Sequence, residues 1–203
     1  MTNFRTEKDC LGEMQIPDSD YYGIQTHRME KVSGCAGLPV IFYPDMHYAL
    51  AQIKKAAAKA NGRIGAMPQE VADAIVQACD EVLTGKYNDQ FPLDMWQGGG
   101  YTCVNMNVNE VVGNRANEIL TGEKGTSKVH PNTHVNMGQS TNDTIPSATH
   151  LGMIGRVDKM ICELTKLAKS FRNKQEEFKD IVKVGLSSFG PWEHEYQECF
   201  GRK

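Results

Sequence analysis

A long amphipathic segment near the carboxyl end constrains the fold of this chain most strongly. From Thr144 to Val184 its only glycines are Gly152 and Gly155, and Pro146 suits the first turn of a helix. A heptad seam continues for about four repeats, formed by Ile154, Val157, Ile161, Leu164, Ala168, Phe171, Gln175, Phe178 and Val182. Roughly 40 helical residues form a rod about 60 Å long. A domain of this size cannot cover such a rod, so we predict that it packs against something else.

The composition is that of an ordinary globular protein. The 203 residues are 40% hydrophobic and 23% charged, enough for one large domain or a domain with an appendage. No run of about 18 apolar residues is present, which excludes a membrane-spanning helix. The first nine residues carry charges and no apolar stretch, so we expect no secretory signal and a cytoplasmic protein.

Charge and cysteine usage exclude further classes. The net charge is −3 and the lysines and arginines are dispersed, which argues against nucleic-acid binding. The six cysteines lie far apart without a C-x-x-C pair, so we interpret them as free thiols.

The first 143 residues predict an irregular arm followed by helices. Glycines and prolines interrupt any periodic pattern in roughly the first forty residues. Apolar residues at helical spacing then predict one helix from Pro44 to about Gly62 and a second from Pro68 to Gly85. The segment 97–100, Gln-Gly-Gly-Gly, predicts a loop.

A third helix, from Val104 to about Leu120, is unusual in its asparagines. Helically spaced valines alternate with five residues that form helices poorly, namely Asn105, Asn107, Asn109, Asn114 and Asn117. Capping plus a solvated face is one interpretation. We favour the other, a buried helix whose amides position loops or a polar ligand, because valines flank the amides on several sides.

The segment 138–144, Gly-Gln-Ser-Thr-Asn-Asp-Thr, stands directly before the long rod. Helix capping alone explains one of these polar residues. Several hydroxyls, amides and free backbone N–H groups at the positive end of a long helix favour a site for an anion. The P-loop pattern is absent, so the sequence indicates a carboxylate rather than a phosphate.

His130 and His134 are spaced like metal ligands, but Pro131 favours a loop and the pattern H-E-x-x-H is missing. We therefore interpret them as loop histidines bound to backbone groups and predict no structural metal. The chain also lacks a dinucleotide fingerprint, so we predict no organic cofactor.

Several motifs, in order, resemble one enzyme family. They are Glu7-x-Asp9-x-x-Gly12, Pro17, Tyr21-Tyr22-Gly23-x-x-Thr26-x-Arg28, Gln97-Gly98-Gly99, Asn105-Met106-Asn107-x-Asn109-Glu110-Val111 and Gln139-Ser140-Thr141-Asn142-Asp143. Together they resemble the aspartase/fumarase superfamily from about Glu7 to Gly185. The Ser-Thr-Asn and Gln-Gly-Gly runs resemble aspartate ammonia-lyases, whereas Val129-His130-Pro131-Asn132 resembles class II fumarases, which remain the alternative.

The resemblance implies a mainly α fold. Residues 1–143 would form the N-terminal lyase domain with its irregular arm, and 144–185 the first long helix of a central helical bundle. It also implies a homotetramer with active sites built from three subunits and a cofactor-free elimination of ammonia from L-aspartate to give fumarate. Thr102, Ser140, Thr141 and Asn142 match the family's substrate-binding positions.

The chain departs from the family at several points. Tyr101 replaces a glycine beside Thr102, which places a ring near a substrate contact, and Thr133 replaces an aspartate of a second carboxylate site. The resemblance ends at Gly185, so 186–203 is a divergent tail and the chain is expected to be truncated. The family's catalytic serine and a substrate-holding lysine would follow that point. We therefore identify no catalytic residue and expect the isolated chain to be inactive; a non-catalytic assembly module is the other hypothesis.

Overall fold

The computed structural model describes residues 3–32, 34, 36–97 and 100–182. It is mostly helical, which confirms the predicted fold class. The chain divides into two compact units, Met1–Gly155 and Arg156–Lys203. The domain boundary predicted at 143 and 144 remains a prediction, and the tail at 186–203 lies outside the described residues. No helix in the described part of the chain is long and apolar enough to cross a membrane.

The N-terminal arm is more regular than the sequence predicts. Strands β1 (Phe4–Asp9) and β2 (Gly12–Pro17) pair as an antiparallel hairpin, and the short helix α1 (Ile24–Glu30) follows. Gly12 closes the hairpin turn at a φ of +117°, a conformation that glycine adopts without steric cost. Both strands are six residues long, and their residues alternate between exposed and half-buried positions; Ile16 alone among these residues is buried. Because so few positions are buried, the alternation leaves only a weak hydrophobic pattern in the sequence.

Three helices form the core of the first unit, and all three were predicted. They are α2 (Pro44–Arg63), α3 (Gln69–Leu83) and α4 (Thr102–Thr121). Gly62 allows α2 and α3 to approach closely, because a Cβ at this position would lie 2.8 Å from the Cβ of Ala72. Their facing sides bury a continuous apolar cluster with α4 in contact with both.

The asparagines of α4 are buried, which confirms the interpretation favoured from the sequence. Asn107 donates a hydrogen bond to the carbonyl of Gln90 at 3.0 Å, and Asn114 donates to that of Tyr21 at 2.8 Å. The side-chain oxygen of Asn117 accepts the backbone N–H groups of 128 and 129, each at 2.9 Å. The amides thus anchor loops distant in sequence, and buried amide groups require such partners.

Helix α5 (Thr141–Phe178) begins three residues earlier than predicted, so Pro146 lies inside the helix and not at its start. Two short helical segments, Val40–Phe42 and Asn88–Gln90, and a π-helical turn, Pro131–Val135, connect the longer elements. Many large apolar side chains of α5 are exposed: Leu151, Met153, Ile154, Met160, Ile161, Leu164, Leu167, Phe171 and Phe178. The described residues therefore leave most of the predicted seam uncovered.

Candidate functional site

The predicted anion-binding residues lie at the N-terminus of α5. Ser140 is its capping residue: the Ser140 Oγ accepts the N–H of Asn142 at 3.2 Å, and its carbonyl accepts the N–H groups of Asp143 and Thr144, each at 3.0 Å. Ser140 and Asn142 are exposed, whereas Thr141 is half-buried. These residues therefore lie at a helix start and are at least partly exposed, while the convergence of their donors on one ligand stays a prediction.

The fourth predicted residue, Thr102, lies at the start of α4 and is exposed. Asn105, one helical turn later, donates to the Thr141 Oγ1 at 3.5 Å and accepts the Thr144 hydroxyl at 3.2 Å. The first turns of α4 and α5 are therefore adjacent. The Asn105 side chain thus links the first turns of two helices whose N-termini each carry a partial positive charge, which suits an anion. Thr102 itself lines a separate cavity wall that includes none of Ser140, Thr141 and Asn142.

Thr102 also lines a cavity of about 350 Å³ between the N-terminal hairpin, α1 and α4. Asp9 and Arg28 contribute the charged groups of its wall, with two contacts of 2.8 and 2.9 Å between them. The Arg28 guanidinium lowers the pKa of the Asp9 carboxyl below its usual range. Because this arginine is already paired, its charge is largely neutralised by Asp9.

Tyr101, the departure from the family pattern beside Thr102, adopts a left-handed backbone with φ of +63°. A glycine takes this conformation freely, whereas another residue pays a strain of about 1 kcal/mol or more. The Tyr101 hydroxyl donates to the carbonyl of Met95 at 2.6 Å, and the ring packs against the apolar core. These contacts hold the ring in place beside the start of α4.

A network that the sequence did not reveal holds the segment before Ser140. The Asn136 Oδ1 accepts hydrogen bonds from Lys54 at 2.8 Å and from Asn105 and Asn109, each at 3.2 Å. The Lys54 ammonium also donates to the Gln139 Oε1 at 2.9 Å. The Asn136 amide in turn donates to the Gln139 carbonyl at 2.9 Å.

Lys54 is fully buried, and desolvation lowers its pKa to about 7. The sequence contains a sign of this burial, because Lys54 follows Leu50 by four residues and precedes Ala57 by three. Lysine thus occupies a position on the apolar face of α2, where an amphipathic helix ordinarily places an apolar residue.

The two loop histidines contact backbone groups, as predicted. The His130 Nδ1 accepts the N–H groups of Asn132 and Thr133, each at 3.2 Å, and the His134 Nδ1 accepts the N–H of His130 at 2.9 Å. Burial and the neighbouring His130 lower the pKa of His134. Within the described ranges, no group of three or more histidine, cysteine or acidic side chains is arranged to hold a metal ion.

Comparisons with known proteins agree with these motifs. Residues 12–187 match the protein family described as Lyase. The chain is 44% identical over 185 residues to an aspartate ammonia-lyase of Bacillus sp., covering 91% of this chain and 39% of that protein. It is also 44% identical over 186 residues to a class II fumarate hydratase of Campylobacter jejuni, covering 90% and 39%.

Solved structures show the same relationship. A protein from Brucella melitensis, described as fumarate lyase:delta crystallin, superposes with a TM-score of 0.79 at 39% identity, over 94% of this chain and 44% of that one. The chain spans about 39% of the length of the curated relatives above. It belongs to the lyase family whose members include aspartate ammonia-lyases and class II fumarate hydratases.

Proposed function

We propose that this chain carries part of the dicarboxylate-binding site of an aspartate ammonia-lyase-like enzyme. The main support is the Asn105 side chain, which hydrogen-bonds to Thr141 and Thr144 and so links the first turns of α4 and α5. Hydroxyls, amides and backbone N–H groups at such a position suit a carboxylate. The relatives named aspartate ammonia-lyase point to L-aspartate and fumarate as the ligands.

The reaction proposed for the complete enzyme is the reversible elimination of ammonia from L-aspartate. A base removes a proton from C3, the electrons move into the neighbouring carboxylate to give an enolate-like intermediate, and ammonia leaves to form fumarate. The intermediate carries extra negative charge, so donors already aimed at it lower the barrier. Ser140, Thr141 and Asn142 are the residues proposed to supply those donors.

Hydration of fumarate is the second candidate. The class II fumarate hydratase from Campylobacter jejuni is as similar to this chain as the Bacillus aspartate ammonia-lyase. The run from Val129 to Asn132 also favours this reading. Both reactions use fumarate, and both need donors for a carboxylate that gains charge.

Self-association and a cytoplasmic location complete the proposal. The exposed apolar side chains of α5 support a homo-oligomer, because soluble monomers seldom leave so many in water.

The catalytic serine and the substrate-holding lysine implied by the family lie beyond the matched region. We therefore expect no deamination of L-aspartate by residues 1–203 alone.

Calorimetric titration with L-aspartate, fumarate and succinate tests the binding site. We expect weak, saturable binding that Thr141→Ala and Asn142→Ala reduce at least tenfold. Thr149→Ala is the matched control, since Thr149 is an exposed threonine of α5 two turns further along. Absence of saturation with all three ligands would support the non-catalytic assembly module instead.

An absorbance assay for fumarate tests the expected inactivity. Incubation of the chain with L-aspartate should produce no fumarate above a blank. Measurable production would show that residues 1–203 contain a catalytic base outside the proposed set.

A further inference from the structure

Lys54 is a buried cation whose hydrogen bonds converge on one short segment. Its side chain is fully buried, and its ammonium donates to Asn136 at 2.8 Å and Gln139 at 2.9 Å. Both partners are neutral amides and not carboxylates. A buried charge without an ionic partner is costly, so an apolar residue would stabilise this position better.

The segment held by Lys54 leads directly into the proposed site. Gly138 turns the chain at a φ of +72°, and Gln139 immediately precedes the capping residue Ser140. The Gln139 amide donates to the carbonyl of Val135 at 2.9 Å, so the segment is also closed on itself. The position of the ammonium therefore influences where the first turn of α5 begins.

We propose that Lys54 is a positioning residue of the dicarboxylate site, which holds Asn136 and Gln139 so that Ser140, Thr141 and Asn142 face the ligand. This inference rests on the proposed function, since the ligand class comes from it. Lys54 does not touch the ligand in this arrangement. Its ammonium acts through the two amides and adds positive charge behind the N-terminus of α5.

Near neutral pH, the main change of charge in this network is the titration of Lys54 itself, as its neighbours show. Its neighbours on α4 and on the 136–139 segment are amides. From α3 it faces Cys79, whose pKa burial raises to about 12, so that thiol stays uncharged. His134, on the π-helical turn, has a pKa lowered by burial and by the neighbouring His130, which favours its neutral form. Asp143, in the first turn of α5, is the nearest acidic residue to the cap in sequence.

Because the pKa of Lys54 is about 7, its charge is progressively lost as the pH rises from 6.5 to 9. We therefore expect the affinity for fumarate, which keeps its two negative charges over this range, to fall about fivefold. Lys54→Met removes the charge and both donors at similar side-chain length. This variant should bind fumarate at least tenfold more weakly at pH 6.5 and lose the pH dependence.

Lys55→Met is the matched control, because the neighbouring Lys55 pairs with the Asp80 carboxylate of α3 and not with the 136–139 segment. It should retain both the affinity and the pH profile of the unaltered chain. A Lys54→Met variant that matches the unaltered chain in affinity and pH profile would overturn the proposal. A purely structural lysine would change stability without altering the pH profile of binding.

Two further measurements keep the inference separate from the proposed function. Amide hydrogen exchange at 139–143 should accelerate in Lys54→Met and not in Lys55→Met, whether or not fumarate binds. Unchanged exchange would refute the positioning role, whereas a failure of the unaltered chain to bind dicarboxylates would refute only the proposed function. If Lys54→Met does not fold, a ¹³C NMR titration of Lys54 in the unaltered chain decides: fumarate should raise its pKa, and no rise would count against the proposal.

Discussion

The backbone N–H of Gly23 donates to the Glu110 Oε2 at 2.9 Å, although the two residues lie 87 positions apart. The same carboxylate accepts the N–H groups of Gln25 and Thr26 and the Thr26 hydroxyl. A Cβ on residue 23 would lie 2.9 Å from the Glu110 Oε1 and 2.7 Å from Glu7. A side chain on residue 23 would therefore have to displace carboxylates that are held by hydrogen bonds.

We predict that Glu110→Gln destabilises the chain by about 2 kcal/mol or more. Burial raises the pKa of the Glu110 carboxyl, yet all four of its hydrogen-bond partners are donors. An amide N–H₂ in place of one oxygen would therefore face a donor and lose its hydrogen bond in the buried site. Chemical denaturation measures the change. Glu123→Gln is the control, since this glutamate on the loop after α4 is exposed and should change stability by less than about 0.5 kcal/mol. Equal effects of the two substitutions would contradict the role given to Glu110.

Sequence patterns predicted the features of this fold that depend on local periodicity. The apolar spacing predicted α2, α3 and α4, and the polar run before the rod predicted the start of α5 to within three residues. The hairpin was missed because its strands are short and half-exposed, so Gly12 and Pro17 were interpreted only as interruptions.

The network beneath the candidate site could not be predicted in the same way. Lys54 meets Asn136 and Gln139 more than 80 positions further along the chain, and only the packing of α2 against the later loop brings them together. Its place on an apolar helix face signals burial but does not identify the partners. The same holds for Glu110, whose partners precede it by more than 80 positions.

The second prediction concerns stability and pH. The pKa of Lys54 is about 7 in the folded chain and near 10.5 when it is unfolded, so between these values the unfolded state binds the extra proton. The free energy of unfolding should therefore contain a contribution that rises with pH across this window. The destabilisation caused by the buried charge is full below pH 7 and is lost as the pH approaches 10.5.

Urea denaturation of the unaltered chain and Lys54→Met at several pH values between 6 and 9.5 measures this contribution. The difference in unfolding free energy between the two should shift in favour of the unaltered chain as the pH rises. The same comparison with Lys55→Met should stay nearly constant. A difference for Lys54→Met that does not vary with pH would show that the ammonium is not depressed in the folded state.

The third prediction concerns the exposed apolar face of α5. Ile161 and Phe171 leave 53% and 65% of their surface in water, and burying each such side chain is worth roughly 1.5 to 3 kcal/mol. We expect light scattering to show an oligomer, and Ile161→Glu with Phe171→Glu to shift it towards the monomer. Lys159→Glu, on the opposite side of the same helix, should leave the mass unchanged. A monodisperse monomer of the unaltered chain would refute the packing argument.

The fourth prediction concerns the candidate donors in an active enzyme, obtained by joining residues 1–185 to the C-terminal part of a related lyase. Thr141→Ala or Asn142→Ala should remove a donor to the carboxylate that gains charge in the intermediate. The loss of transition-state stabilisation should be about 2 to 4 kcal/mol, which lowers kcat/KM roughly thirtyfold to a thousandfold.

The division between kcat and KM identifies how these donors act. A donor that engages the intermediate more strongly than the substrate lowers kcat together with kcat/KM, whereas one that binds both equally raises KM alone. Thr149→Ala, the exposed threonine further along α5, should alter neither parameter. A helix start that merely caps α5 has no reason to affect the chemical step, whereas the loss of a donor to the intermediate must slow that step. Turnover that is unchanged in both Thr141→Ala and Asn142→Ala would therefore remove these residues from the site.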